Sequence, residues 1–261
     1  MRLIATDLDG TLLRSDGSIS RRTRTLLVSL RERDIPLVMV SARPPRDLRQ
    51  IGERIGAEGI AVGCNGALIY DLTSDTILDH WLLSPRVAMR LVTDLRQMLP
   101  DAYFAIECGL RYGWERGYLA IRGRQPEDES LIADALELCS VPVSKLLMRH
   151  PTLSADEMLA LGRKVAGNEA VATHSGARLL EISAVGVDKA SALAALCGRM
   201  GIASSNVVAF GDQPNDISML RWAGHGVAVA NAHAEVFAMA DAVTASNDED
   251  GVARALESLL G

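Results

Sequence analysis

Several features that would place this chain in a familiar class are scarce or missing. Its four cysteines, Cys64, Cys108, Cys139 and Cys197, are scattered through 261 residues with no Cys-x-x-Cys pair. Thiols so spaced in a large chain fit a reducing compartment better than a disulfide framework. The five histidines show neither His-x-His nor His-x-x-x-His spacing, which leaves a zinc site without support. Lysine and arginine form no nucleic-acid stripe, the net charge is −6, and Arg21, Arg22 and Arg24 read as the solvated start of a helix. The longest stretch without Asp, Glu, Lys or Arg, residues 222–234, is too short and too rich in glycine and alanine to span a bilayer. No apolar stretch of signal-peptide length precedes Asp7. Gly-x-Gly-x-x-Gly is missing after the first apolar run, which argues against a nicotinamide-binding module. No internal repeat or low-complexity tract occurs, and no exposed apolar stripe or heptad sets an oligomeric state. These absences predict a cytoplasmic protein with neither a nucleic-acid nor a membrane partner.

What is present suits a well-filled core: 48% of residues are hydrophobic and 23% charged. The length predicts one large or two moderate domains. Apolar runs of strand length alternate with helical patterns at both ends. Residues 3–6, 36–40, 206–210 and 226–229 read as strands, and residues 20–33, 45–55, 188–200, 217–222 and 249–260 as helices. Strands apolar on both faces and separated by helices predict a parallel sheet covered on both sides. Asn65-Gly66, between the apolar runs 60–62 and 67–70, is a hairpin signal. The middle differs, reading as helix, strand, strand, helix, strand, helix, strand, strand, with residues 102–107, 143–149, 170–174 and 178–182 the clearest strands. The expected fold is α/β: a Rossmann-like, doubly wound parallel sheet core from residues 1–83 and 184–261, with an inserted α+β domain at 84–183.

Four pieces carry the chemistry. Asp7-Leu8-Asp9-Gly10-Thr11 follows the first strand, and at ordinary residue frequencies four such fixed positions coincide only about 10⁻⁵ times per site. Ser41 ends the second strand, just before Ala42-Arg43. Lys189 opens the helix after the insertion, and Gly211-Asp212-Gln213-Pro214-Asn215-Asp216 follows the strand at 206–210. Carboxyl ends of parallel strands are where open α/β sheets gather ligands. Together these residues supply a nucleophile, a proton donor, hydrogen-bond donors for phosphate oxygens and a reason for a divalent cation. Four carboxylates converging on a dianionic phosphate repel one another strongly, and one lysine is too little to balance them.

These motifs, in this order and with the insertion between the second and third, resemble the haloacid dehalogenase (HAD) superfamily. The segment from Gly211 to Asp216, the long α+β insertion and Ser246-Asn247-Asp248-Glu249-Asp250-Gly251-Val252 resemble its Cof-type, subclass IIB sugar-phosphatase-like members. The resemblance implies a Mg²⁺-dependent phosphatase acting on small phosphorylated metabolites, with sugar phosphates the family-level expectation. It implies Asp7 as the nucleophile that becomes an aspartyl-phosphate, and Asp9 as the acid that protonates the leaving oxygen and then activates water. Lys189 would neutralise the crowded site. Ser41, Gly10, Ala42, Arg43 and Asn215 form the candidate phosphate-binding group. Mg²⁺ would be held by the Asp7 side chain, the Asp9 backbone carbonyl and Asp212, with Asp216 orienting the set. The insertion would act as a cap, with hinges at residues 82–85 and 183–188, where Gly186 suits a bend.

One departure and several open readings accompany this. The family usually has glycine where this chain has Ala42, which would be strained if that position required positive φ. Arg43 could reach substrate or pair with a carboxylate. Asn65 could serve the turn alone or face substrate, and Asn247 could lie near the site or cap the last helix. Arg111, Arg116, Arg122 and Arg124 could contact an anionic substrate or be solvated, while Met39 and Met148 read as core filler. A phosphomutase would use the same aspartates. A phospho-aspartate signalling receiver would not turn over, but it is half this length and has no cap. A metal-free dehalogenase would have no use for Asp9 and the Asp212–Asp216 pattern.

Overall fold

Every residue of Leu3–Thr6 (β1) is buried, as an inner strand covered on both faces must be. The computed structural model describes residues 1–122, 131–176 and 178–261. It divides into two units, Met1–Leu78 with Asp188–Gly261, and Asp79–Val187. After β1 come α1 (Arg21–Glu32), β2 (Leu37–Val40), α2 (Pro45–Ile55), β3 (Ile60–Gly63), β4 (Leu68–Asp71) and β5 (Thr76–His80). The second unit then holds α3 (Pro85–Met98), β6 (Tyr103–Cys108), β7 (Arg111–Trp114), α4 (Arg116–Arg122) and β8 (Leu131–Ile132). It continues through α5 (Ala135–Leu138), β9 (Lys145–Arg149), α6 (Ala155–Ala166), β10 (Ala170–Thr173) and β11 (Leu180–Ala184). The chain returns to the first unit as α7 (Lys189–Met200), β12 (Val207–Gly211), α8 (Ile217–Trp222), β13 (His225–Val229), α9 (Ala234–Phe237), β14 (Ala242–Thr244) and α10 (Gly251–Leu260).

The first unit's sheet has the order β14-β13-β12-β1-β2-β3-β4-β5. Pairing is parallel from β14 through β3, and β4 returns antiparallel to β3. Local chemistry sets the helix ends. Ser20 Oγ accepts the Thr23 N–H at the start of α1, and Leu26, Leu27 and Leu30 bury one face. Asp188 and Ser191 cap α7 reciprocally, and Gly201, at φ 62°, stops it. Because α7 is fixed at its first turn, the position of Lys189, its first residue, is fixed too.

In the second unit the sheet order is β10-β11-β9-β6-β7-β8. Among the described residues its pairs are antiparallel except β7 with β8. Alternation along β6 sends Phe104 and Ile106 into a core shared with α3, α5 and α6, and Ala105 into a separate cluster with Tyr112, Trp114, Tyr118 and Leu147. Met39 and Met148 are both core residues. The elements between β7 and β9 depart from the single helix expected there: α4 and α5 are separate, with the two-residue β8 between them. Strands β5 and β14 were not visible in the sequence, because each is short and partly exposed and carries no clear apolar alternation. The Asn65-Gly66 hairpin is present but longer than the two-residue loop its dipeptide suggests: Gly63 pairs with Leu68 around a four-residue connection. No helix among the described residues is long and apolar enough to cross a membrane.

Candidate active site

Asp7 leaves β1 and Asp212 leaves β12, and these strands are direct parallel neighbours with Thr6 opposite Phe210. Sheet pairing therefore brings together two carboxylates 205 positions apart in sequence. Gly10 makes room for them. Its φ is 81°, and a Cβ there would lie 2.6 Å from Asp212 Oδ2. Gly211 does the same on the other strand, since a Cβ there would lie 2.4 Å from the Asp216 Cβ. The short helical turn Pro214–Asp216 then swings Asp216 back, and its Oδ2 accepts the N–H groups of Asp212 (3.0 Å) and Gln213 (2.9 Å).

Lys189 reaches this cluster from α7. Its Nζ donates to Asp7 Oδ1 and to Asp216 Oδ1, both at 2.6 Å, and the side chain is fully buried. Asp212 is held through other donors, Thr11 Oγ1 to Oδ1 at 2.6 Å and Gln213 Nε2 to Oδ2 at 2.9 Å. Both oxygens of Asp212 and Asp216 are thus engaged, whereas among the described residues no donor claims Asp7 Oδ2. The carboxylates of Asp7, Asp212 and Asp216 each offer an oxygen within 4.8 Å of the others.

Three buried carboxylates against one ammonium leave an uncompensated negative charge. Burial pushes Asp7 well above the usual carboxylate range, with Lys189 opposing and Asp216 and Asp212 adding repulsion. Burial and the neighbouring Asp216 raise Asp212 to about 6. Burial alone would pull the Lys189 ammonium down, but Asp216 and Asp7 outweigh it and hold it above the ordinary lysine value. A hard, oxygen-lined, electron-rich pocket of this kind fits a small divalent cation. The clustered aspartates are able to coordinate one.

Asp9 does not join the carboxylate cluster through its side chain; it is half exposed and forms a two-pronged ion pair with Arg43, which also donates to Asp47. That pair raises the Arg43 guanidinium above its ordinary value. Of the two readings open for Arg43, pairing with a carboxylate is the one realised here. Ser41 is buried at the end of β2, and its Oγ accepts the Arg43 N–H at 3.2 Å. Ala42 is absent from the positive-φ residues, so replacing the family's glycine introduces no left-handed strain. Asn215 is buried and donates to Asn65 Oδ1 at 3.0 Å. Asn247 does not cap α10, whose N-cap is Asp250; its side chain donates instead to the Leu13 carbonyl at 2.9 Å. In the second unit Arg111 and Arg116 are exposed and Arg122 lies over the Trp114 ring, while Arg124 falls outside the described residues. Sequence reasoning left Thr11 and Gln213 without roles, although each holds an oxygen of Asp212. Thr11 stood inside the first motif and could have been found there; Gln213 carried no such signal.

A family model for haloacid dehalogenase-like hydrolases matches residues 4–256, and the chain belongs to that family. Among curated relatives it is 29% identical over 259 residues to the 5-amino-6-(5-phospho-D-ribitylamino)uracil phosphatase YcsE of Bacillus subtilis, covering 98% of this chain and 94% of that one. Among solved structures it resembles SMU.1108c of Streptococcus mutans, with a TM-score of 0.87 at 28% identity over 99% of this chain and 98% of the other. The HAD subclass IIB sugar phosphatase BT4131 shares the fold, with a TM-score of 0.84 at 19% identity over 99% of both chains. The protein is therefore a HAD-type phosphatase with a Rossmann-like core and a cap domain.

Proposed function

We propose that the protein is a Mg²⁺-dependent phosphatase of small phosphorylated metabolites that works through an aspartyl-phosphate on Asp7. The observation that carries this reading is the state of Asp7: buried, with one oxygen held by Lys189 and the other claimed by no donor among the described residues. Asp7 Oδ2 attacks phosphorus, the bond from phosphorus to the ester oxygen breaks, and the departing oxygen takes a proton from Asp9, which in its protonated form gives up one of its two bonds to Arg43. Water then attacks the same phosphorus, Asp9 takes the water's proton, the acyl-phosphate bond breaks, and inorganic phosphate leaves with Asp7 restored. Lys189 favours the ionised form of Asp7 and aims its carboxylate, and Ser41 retains a hydroxyl proton to donate to a phosphate oxygen. Asp7, the Asp9 backbone carbonyl and Asp212 would hold the Mg²⁺, which when bound offsets the charge of carboxylates and phosphate and polarises phosphoryl oxygens. Asp216, which accepts from the Lys189 ammonium and from the N–H groups of Asp212 and Gln213, orients Lys189 and the Asp212 loop.

For substrate, the subclass and the name of the Bacillus subtilis relative favour phosphate esters of sugars or sugar alcohols. The test is a panel of phosphorylated metabolites, including 5-amino-6-(5-phospho-D-ribitylamino)uracil, scored by phosphate release. Asp7→Asn abolishes turnover on every active ester while the fold is retained, and EDTA silences the wild type until Mg²⁺ is restored. Turnover surviving in Asp7→Asn overturns the nucleophile assignment, and indifference to chelator overturns the metal. A mutase would instead need a bisphosphate activator and would release little phosphate.

A further inference from the structure

The turn between β3 and β4 and the turn after β12 each bring one buried polar atom that no partner among the described residues satisfies. Asn65 is 3% exposed and Asn215 is 7% exposed. Asn215 Nδ2 donates to Asn65 Oδ1 at 3.0 Å, yet among the described residues Asn65 Nδ2 and Asn215 Oδ1 have no partner. Leaving one such group unpaired costs about 1–3 kcal/mol, so two adjacent ones are not a neutral feature of a core. They sit where three catalytic segments meet. The Asn65 N–H donates to the Ser41 carbonyl at 3.0 Å, and the Cys64 N–H to the Arg43 carbonyl at 3.0 Å. On the other side the turn presses on the start of α7: a Cβ at Gly66 would fall 2.0 Å from the Asp188 carbonyl oxygen, next to Lys189. Asn215 itself lies between Asp212 and Asp216.

We infer that Asn65 Nδ2 is a further phosphoryl-binding donor and that Asn215 is a positioning residue that fixes its amide. The inference rests on the phosphatase reading above and deepens it. With Oδ1 committed to Asn215, the Asn65 amide turns its N–H₂ away from that contact as a neutral donor. Phosphoryl transfer spreads negative charge over three equatorial oxygens, and donors already in place for them act in the transition state without reorganising. Ser41 and Lys189 supply two such donors, and Asn65, hydrogen-bonded to the Ser41 backbone and followed by Gly66 against the start of α7, supplies another. The backbone agrees with this use. Cys64, Asn65 and Gly66 have φ values of 51°, 58° and 96°, a left-handed run that holds the Asn65 side chain inward. Asparagine is among the few residues other than glycine that adopt this conformation readily, and it also brings an amide.

Two variants test the assignment, because glycine and aspartate both accept the left-handed turn. Asn65→Gly removes the amide, and Asn65→Asp replaces its donor by a negative oxygen. The readouts are kcat/KM on p-nitrophenyl phosphate, the inhibition constants of vanadate and inorganic phosphate, and Tm. Asn65→Gly is expected to lower kcat/KM about 100-fold and to weaken vanadate, the trigonal-bipyramidal mimic, by a similar factor. Inorganic phosphate should weaken much less, Tm should change little, and Asn65→Asp should lose more activity than Asn65→Gly. Unchanged vanadate inhibition in Asn65→Gly overturns the Asn65 assignment alone. So does a loss that moves vanadate and phosphate equally and follows a fall in Tm, since that marks a turn residue. If Asn65→Gly does not fold, Asn65→Asp with wild-type vanadate inhibition overturns it as well. A wild type that neither hydrolyses the ester nor binds vanadate sinks the phosphatase reading, and this assignment with it.

Discussion

Arg43 grips both carboxylate oxygens of Asp9, Nε to Oδ2 at 2.6 Å and Nη2 to Oδ1 at 2.7 Å. Both side chains are more than a third exposed, so solvent screens the pair and its worth to stability is about 0.2–1 kcal/mol. Its value lies in geometry: two parallel bonds fix the plane of the Asp9 carboxylate, which one lysine ammonium could not do. If Asp9 protonates the leaving oxygen, loss of Arg43 should harm substrates in proportion to how much they need that proton. Arg43→Met is expected to slow alkyl phosphates at least ten times more than aryl phosphates with acidic leaving groups, with Arg43→Lys between. A leaving-group series measures this, and a uniform loss across it would show that Arg43 serves binding instead.

Gly10 and Asp212 make a second prediction. A Cβ at Gly10 meets Asp212 Oδ2 at 2.6 Å, and the φ of 81° disfavours any L side chain. Gly10→Ala should therefore displace Asp212, lower stability by about 1–3 kcal/mol and weaken Mg²⁺ binding more than tenfold. Titration of Mg²⁺ against thermal unfolding separates the two effects. A variant with lower Tm but unaltered Mg²⁺ affinity would show that Asp212 does not hold the ion.

The raised carboxylates set a direction for pH. Asp212 sits at about 6 in the folded protein against an ordinary 3.8, and Asp7 moves the same way. Between those values the folded state binds protons that the unfolded chain does not, so these groups make stability rise as pH falls. Lys189, held above its ordinary value, contributes stability that is fully present throughout this range. Carboxylates lowered by surface hydrogen bonds, such as Asp16, Asp71 and Glu157, lose their contribution only at more acid pH, below their ordinary values. Metal-free protein should thus have a higher Tm at pH 5.5 than at pH 7.5. Mg²⁺, competing with those protons, should stabilise more at pH 7.5. Scanning calorimetry with EDTA or Mg²⁺ at both pH values checks both statements, and a metal-free Tm that falls on acidification would contradict the assignment.

The sequence exposed those parts of the site that are written locally. Asp7 to Thr11 is a contiguous phrase, and α7 announces its start with Asp188 and its stop with Gly201, so these neighbouring residues suffice to place Lys189 on the first turn of a helix. The partnership of Asn65 with Asn215 could not be read that way, because it joins residues 150 positions apart through a contact that only strand order creates. Asp9 was legible as an acid beside the nucleophile but not as the partner of Arg43, since nothing in either motif says which way a half-exposed side chain turns. Edge strands such as β14 escaped for a related reason: three residues with one face open to water leave no periodic signature.

Lys189 gives the last prediction. Its ammonium is fully buried between Asp7 and Asp216, and removing one partner from a buried ionic cluster typically costs about 3–5 kcal/mol. Lys189→Met fills similar volume but leaves two carboxylates facing each other without a counterion, so both should take up protons more readily than in the wild type. The folded variant then binds more protons than its unfolded chain over a wide range, and its stability must recover as pH falls. Urea unfolding in EDTA should show a deficit of several kcal/mol at pH 8 that shrinks by at least half at pH 5.5, with activity lost at both. A deficit independent of pH would mean that packing of the lysine stem, rather than its charge, supports the site.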